Sequence, residues 1–199
     1  MEKSNIELLT EFAKSTNRSI EAKEILYPST GVRTFPQYKR MIYIPNNSEN
    51  TSFFIWFSDP YEKGGIPTDF CGAFIKLPSE FKSKINIRNK NILDKIKVFS
   101  KAQNSIGNPL FDSKVVISGE LDSSIKSLLS KSRIQYQLLE ALKIKELINI
   151  SINEYKIDFI PELLDEPYLA IINPQSWNLD ANYIEKVFSN IEKIRSVIY

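Results

Sequence analysis

The chain contains no histidine, and that absence removes more chemistry than any other feature of its composition. Without an imidazole there is no Ser-His-Asp or Cys-His nucleophilic site, no histidine general base and no histidine metal ligand. The single cysteine, Cys71, cannot form an internal disulfide, and without histidine a structural zinc site of Cys and His ligands is excluded. One unpaired cysteine fits a reducing compartment. Neither GxGxxG nor GxxxxGK[ST] occurs, so the standard glycine-rich phosphate loops are missing. No segment approaches the roughly 18 consecutive apolar residues of a membrane helix. The opening "MEKSNIELLTEF" has no basic stretch followed by an apolar run, as a secretory signal has. The expectation is a cytoplasmic protein with no membrane span, no metal and no cofactor.

Charge of one sign is also lacking. Lys and Arg number 26 against 24 Asp and Glu, a net +2, too balanced to imply nucleic acid or an acidic substrate by itself. Its placement is uneven. Lys82, Lys84, Arg88, Lys90, Lys95, Lys97 and Lys101 are opposed only by Asp94, and Glu154, Asp158, Glu162, Asp165 and Glu166 only by Lys156. Both runs are what solvated faces look like. The basic run, Lys82–Lys101, is also a candidate phosphate or nucleic-acid surface, with Lys82, Lys84, Arg88 and Lys90 as contacts. Tyr38, Tyr43, Phe54 and Trp56 are the rings that would stack on bases; they are equally what a sheet core uses.

What is present is a globular pattern. With 42% hydrophobic and 25% charged residues in 199, the chain can bury one sizeable core or two small ones. Ser4 and Glu7 have capping-box spacing, and Ile6, Leu8, Leu9, Phe12 and Ala13 form an apolar face for a helix ending near Ser15. Residues 19–26 fit either strand or helix. "YPSTGVRTFPQYK" reads as a loop. Strands are expected over Arg40–Ile44, "SFFIWF" (Ser52–Phe57, apolar enough to be central), Phe70–Leu77, Lys84–Arg88 and Lys114–Ser118. "PNNSEN" is a turn and "SDPYEKGGIPTD" a longer loop. A weakly helical "ILDKIKVFS" and a linker "NSIGNP" mark the best boundary: one compact domain over 1–199, with sub-parts 1–105 and 106–199. Asp122 is a good N-cap for a helix burying Ile125, Leu128 and Leu129. Ile134, Leu138, Leu139 and Leu142 form the face of the next helix. Ile148, Ile150 and Ile152, then Tyr155, Ile157 and Phe159, alternate around Asn153-Glu154 as a hairpin would. A short strand follows at Tyr168–Ile172. From Asp180, Ile184, Val187, Phe188, Ile191, Ile194 and Ile198 repeat at helical spacing. The fold class is α+β: mainly antiparallel sheet with packed helices, the C-terminal helix on the core.

Four features carry candidate chemistry. Cys71 shares a strand face with Ala73, Ile75 and Leu77, an apolar setting that raises a thiol's pKa and makes it inert. Gly72, between Phe70 and Phe74, admits close approach by a backbone or a flat ligand, or relieves crowding. The loop Ser58–Asp69 offers Asp59, Glu62 and Asp69 beside Gly64-Gly65; carboxylates so placed can ligate a divalent cation, but their spacing matches no calcium loop. The acidic "DFIPELLDEP" presents Leu163 and Leu164 either to a protein partner or to the core.

Three pieces in order, "FCGAFIKL", "GNPLFDSKVVISGELDSSIKSLLS" and "ELINISINEYKIDFIP", give a resemblance. Over about Phe70 to Leu164 the chain resembles an uncharacterised bacterial family known only as a domain of unknown function. Its marks are an F-x-G-x-F strand, a Phe-x-x-x-Phe-x-Val strand with acidic turn and helix, and a closing hairpin. Members often carry the domain after transmembrane helices. Here the second aromatic position of the middle strand is Val115, and membrane helices are missing. The resemblance implies a fold unit and a bacterial source. It carries no activity and no functional residue.

The leading functional reading is a non-catalytic binding or accessory module, with a protein partner favoured over nucleic acid. The alternatives are a carboxylate-based hydrolase or transferase using the Ser58–Asp69 loop, and a nucleic-acid binder using Lys82–Lys101.

Overall fold

Eight strands form one antiparallel sheet in the order β1-β2-β3-β4-β8-β7-β5-β6. A computed structural model describes residues 4–28, 36–47, 49–63, 66–92, 94, 104–145, 147–174 and 179–199, with the side chains of 62, 63, 66 and 67 left out of the description. The strands are β1 (Glu21–Tyr27), β2 (Gln37–Pro45), β3 (Phe53–Lys63), β4 (Ile66–Lys76), β5 (Ile85–Asn89), β6 (Val115–Gly119), β7 (Asn149–Ile152) and β8 (Tyr168–Asn173). The helices are α1 (Asn5–Ser15), the single turn α2 (Pro109–Asp112), α3 (Ser123–Ser130), α4 (Ser132–Ala141) and α5 (Ala181–Ile198). The protein is α+β, and α5 packs on the sheet.

Local chemistry sets the helix starts. Ser4 and Glu7 close a reciprocal capping box on α1, the Ser4 amide donating to Glu7 Oε2 at 2.7 Å. Asp122 caps α3 by accepting the Ile125 amide at 2.8 Å, and Asp180 caps α5 by accepting that of Asn182 at 2.6 Å. The "NSIGNP" stretch read as a linker is a tied-down turn: Asn108 caps α2, and Asp112 accepts from Ser105, Ile106 and Gly107. Of the "ILDKIKVFS" helix, most lies outside the described residues.

The pleat sends alternate side chains to opposite faces. One face of the sheet lies under the helices. There Ile42, Ile44, Phe54, Trp56, Cys71, Ala73, Ile75, Ile85, Ile87, Val115, Ile117, Ile150, Ile152, Leu169 and Ile171 meet Leu9, Phe12, Leu128, Leu138 and the α5 stripe. The other face carries a second, aromatic core. Met41, Phe53, Ile55, Phe57, Phe70, Phe74, Tyr168, Ala170 and Ile172 are covered by Ile157, Ile160 and Leu163. Phe57 stacks on Phe70 with centroids 5.0 Å apart, and Tyr155 meets Phe70 at a tilt with centroids 4.4 Å apart.

Two expectations are corrected. Residues 58–63 and 66–69 are not loop: β3 runs on to Lys63 and β4 begins at Ile66, and Pro60 is accommodated at a register shift between Asp59 and Lys63; Gly64 and Gly65 lie outside the described residues. The hairpin across Asn153-Glu154 does not form, because β7 ends at Ile152 and pairs with β5 and β8 instead. The Tyr155/Ile157/Phe159 alternation belongs to an irregular segment lying across the aromatic face, where Ile157 is buried and the two rings are partly covered. "SFFIWF" is an interior strand as expected, with residues 52–57 all buried, and the innermost pair is β4 and β8; both faces of β8 are buried.

Candidate functional site

The carboxylates of the Ser58–Asp69 segment do not converge. Asp59 pairs across the ladder with Thr68, and Asp69 with Ser58. Adjacent cross-strand pairs point to opposite faces, so the two carboxylates are separated by the sheet. Asp59 is buried on the aromatic side and already used. It lies 3.1 Å from Lys39 Nζ, accepts the Tyr27 hydroxyl at 3.3 Å, and accepts the Tyr61 amide at 2.9 Å. Tyr27 meets Tyr61 edge-on at 5.2 Å. This is a pin for the β1–β2–β3 corner at the register shift. The Glu62 side chain lies outside the described residues. Among the described residues no three His, Cys, Asp or Glu side chains group as metal ligands do.

The basic run is dispersed. Arg88 is held bidentately by Asp94 at 2.6 and 2.7 Å, which raises the guanidinium's pKa. Lys90 donates to the Asp112 carbonyl at 2.9 Å, closing α2. Only Lys82 and Lys84 remain exposed and, among the described residues, unpaired. Lys95, Lys97 and Lys101 lie outside the described residues.

Phe70 and Phe74 are sealed in the aromatic core, and Cys71 in the helix-side core. What approaches Gly72 is backbone: a Cβ there would meet the Ile171 carbonyl oxygen of β8 at 2.1 Å. Burial pushes the Cys71 thiol from 9.0 up to about 12, with the Tyr183 hydroxyl and Lys145 pulling weakly the other way. Burial likewise raises the Tyr168 and Tyr183 hydroxyls. Burial favours the neutral form of each group in the folded state. The thiol's stabilising contribution is therefore complete below its unfolded value near 9.0 and is lost as pH rises toward 12, and that of the two tyrosines is complete below 10.0 and lost above it. The melting temperature should fall progressively above about pH 9, and Cys71→Ala should recover part of that loss. A thiol reagent at neutral pH should label native Cys71 at least ~100-fold more slowly than the urea-unfolded chain. Equal rates would show the site open.

Of several surface clefts among the described residues, one lies beside the aromatic core. This cleft, of about 530 Å³, is lined by Phe81, Lys82, Lys84, Asn153, residues 155–158 and residues 163–168. Its frame is rigid. Asn153, at φ 53°, accepts the Tyr168 amide at 2.9 Å and donates to the Phe81 carbonyl at 2.8 Å. The Tyr168 hydroxyl donates to the Tyr155 carbonyl at 2.8 Å. The floor is apolar: Tyr168, Tyr155, Ile157 and Leu163. The lining carries both charge signs, Lys82, Lys84 and Lys156 together with Asp158, Asp165 and Glu166. Lys156 neutralises Asp158 at 2.9 Å and holds its carboxyl below the usual range, and Lys76 neutralises Glu166 at 2.8 Å. Asp165, at φ 56°, is not ion-paired among the described residues. Leu163 is buried and Leu164 half exposed, so the two leucines of "DFIPELLDEP" divide between core and rim.

Asn153, Tyr155, Asp165 and Tyr168 were not legible as site residues. Only the pairing of β5 with β7 and of β7 with β8 brings residues 82–84 beside 153–168. The one local signal is Asn153, a residue type that tolerates positive φ. No helix among the described residues is long and apolar enough to cross a membrane. Protein-family models, curated protein sequences and solved structures all yield no match to this chain.

Proposed function

We propose that the protein is a non-catalytic binding module, with the cleft between Lys82, Lys84 and Asp165 as its ligand surface. The observation that carries this reading is the cleft's lining, which combines the apolar Tyr155, Ile157, Leu163 and Tyr168 with exposed side chains of both charges. Its size falls within the roughly 300–1,000 Å³ of ordinary ligand sites. An occupant that suits it has an apolar body, an anionic group for the lysines and a cationic group for Asp165. A peptide segment of mixed charge has all three. Nucleic acid suits it less, since its phosphates would also meet the acidic side chains. Carboxylate catalysis is disfavoured by Asp59 and Asp69 lying on opposite faces.

Panning a random dodecapeptide library tests the reading. Selected peptides should carry both charge signs around an aromatic or aliphatic residue, and should lose about tenfold or more in affinity to Lys82→Glu/Lys84→Glu. Chemical-shift changes should centre on Lys84, Tyr155 and Asp165. Equal binding to the variant, or tighter binding of oligo-dT than of any peptide at physiological salt, would overturn it.

A further inference from the structure

The two edges of the sheet are treated differently. At the β6 edge Asn104 bridges to Ile117 and its side chain donates to the Gly119 carbonyl at 2.7 Å. That edge is blunted. At the β1 edge seven residues run with no strand on their outer side among the described residues, and six of them are exposed. No proline or bulge interrupts Glu21–Tyr27. Ile25 and Leu26 are 40% and 52% exposed, and Tyr38, paired with Leu26 on β2, is 40% exposed. Proteins ordinarily protect such an edge or use it.

We propose that β1 is a dimerisation strand: two copies of this chain pair antiparallel through their outer β1 edges, about a two-fold axis at Ile25. Charge and ladder length together select the register, since a centre at Leu26 opposes no like charges but reaches Pro28, which has no backbone N–H, after one residue on either side. A two-fold normal to the sheet opposes residues symmetrically about its centre. Centred on Lys23 or on Glu24 it sets like charges face to face, which is unfavourable. Centred on Ala22 it pairs Glu21 with Lys23, but leaves Leu26 and Tyr38 outside the contact. Centred on Ile25 it sets Ile25 on Ile25, Lys23 on Tyr27 and Glu24 on Leu26, with no like charges opposed. Glu24 keeps its own partner, Arg40, at 2.5 Å. Leu26 and Tyr38 of each copy then flank the junction on the helix side. A seven-residue ladder falls below the roughly 1,200 Å² of a stable interface, so the dimer is reversible, with Kd on the order of 10–100 μM.

Cross-linking reads the axis directly. Residues on the dyad have Cα atoms about 4.5–5.5 Å apart, inside the roughly 4.4–6.8 Å that a disulfide spans. One residue away, symmetry mates are about 8 Å apart. In a Cys71→Ala background, Ile25→Cys should form a disulfide dimer with oxidised glutathione at least tenfold faster than Ala22→Cys, Glu24→Cys or Leu26→Cys. In sedimentation equilibrium the unmodified protein should show a monomer–dimer exchange that Ile25→Lys weakens at least tenfold. The substituted side chains are exposed, so these variants keep the fold. Preferential cross-linking at another position overturns the Ile25 axis. A monomer at millimolar concentration overturns the dimer and leaves the edge to an extended peptide from another protein.

Discussion

Gly72→Ala should leave the protein unable to fold, or destabilise it by more than about 3 kcal/mol, the upper end of ordinary overpacking losses. The added Cβ would lie 2.1 Å from the Ile171 carbonyl oxygen and 2.9 Å from the Ile172 Cα. Both are backbone atoms, so no rotamer change relieves the clash. Relief requires parting β4 from β8, the innermost pair of the sheet. That parting would open both cores at once, because Cys71 and Ala73 face the helices while Phe70 and Phe74 face the aromatic cluster. Gly107→Ala is the control. A Cβ there meets nothing within 4 Å, and its φ of +85° leaves only local strain, worth about 1–2 kcal/mol. Urea unfolding and soluble yield measure both. Equal, mild losses in the two variants would show that β4 and β8 adjust around a side chain, and that the close approach is not required.

Removal of residues 178–199 should leave a chain that aggregates or shows no cooperative unfolding. Tyr183, Ile184, Val187, Phe188, Ile191 and Ile194 of α5 are all buried. At about 1.5–3 kcal/mol for each buried apolar side chain, their sum rivals the roughly 5–15 kcal/mol of a whole domain's net stability. Polar ties fix the stripe in place: Glu192 accepts the Ser52 hydroxyl at 2.6 Å and that of Thr51 at 2.8 Å. Arg18 pairs with Glu185 while its guanidinium lies 5.4 Å from the Phe12 ring and 5.1 Å from that of Phe188. Phe188→Ala is the graded version and should cost about 3–5 kcal/mol. A truncated protein that stays folded and monomeric with an unchanged melting temperature would make α5 a detachable element instead of core.

The sequence by itself determined what depends on neighbours within a few residues. The Ser4–Glu7 box, the Asp122 and Asp180 caps and the α5 stripe are local hydrogen bonds or a single period, and each is found where the pattern puts it. The burial of Cys71 also followed, since strand alternation alone assigns its side to Ala73 and Ile75. Tertiary structure decided everything that needs a partner strand. "SDPYEKGGIPTD" has the proline, glycine and charge of a loop, yet pairing between β3 and β4 carries its residues 58–63 and 66–69 as strand and sends Asp59 and Asp69 to opposite faces. Tyr155, Ile157 and Phe159 alternate like a strand, but what they alternate against is the aromatic face of a sheet they do not join. The order in which β8 and β7 enter between β4 and β5 is set by long-range pairing. No local period encodes that order, and the cleft between Lys84 and Asp165 exists only because of it.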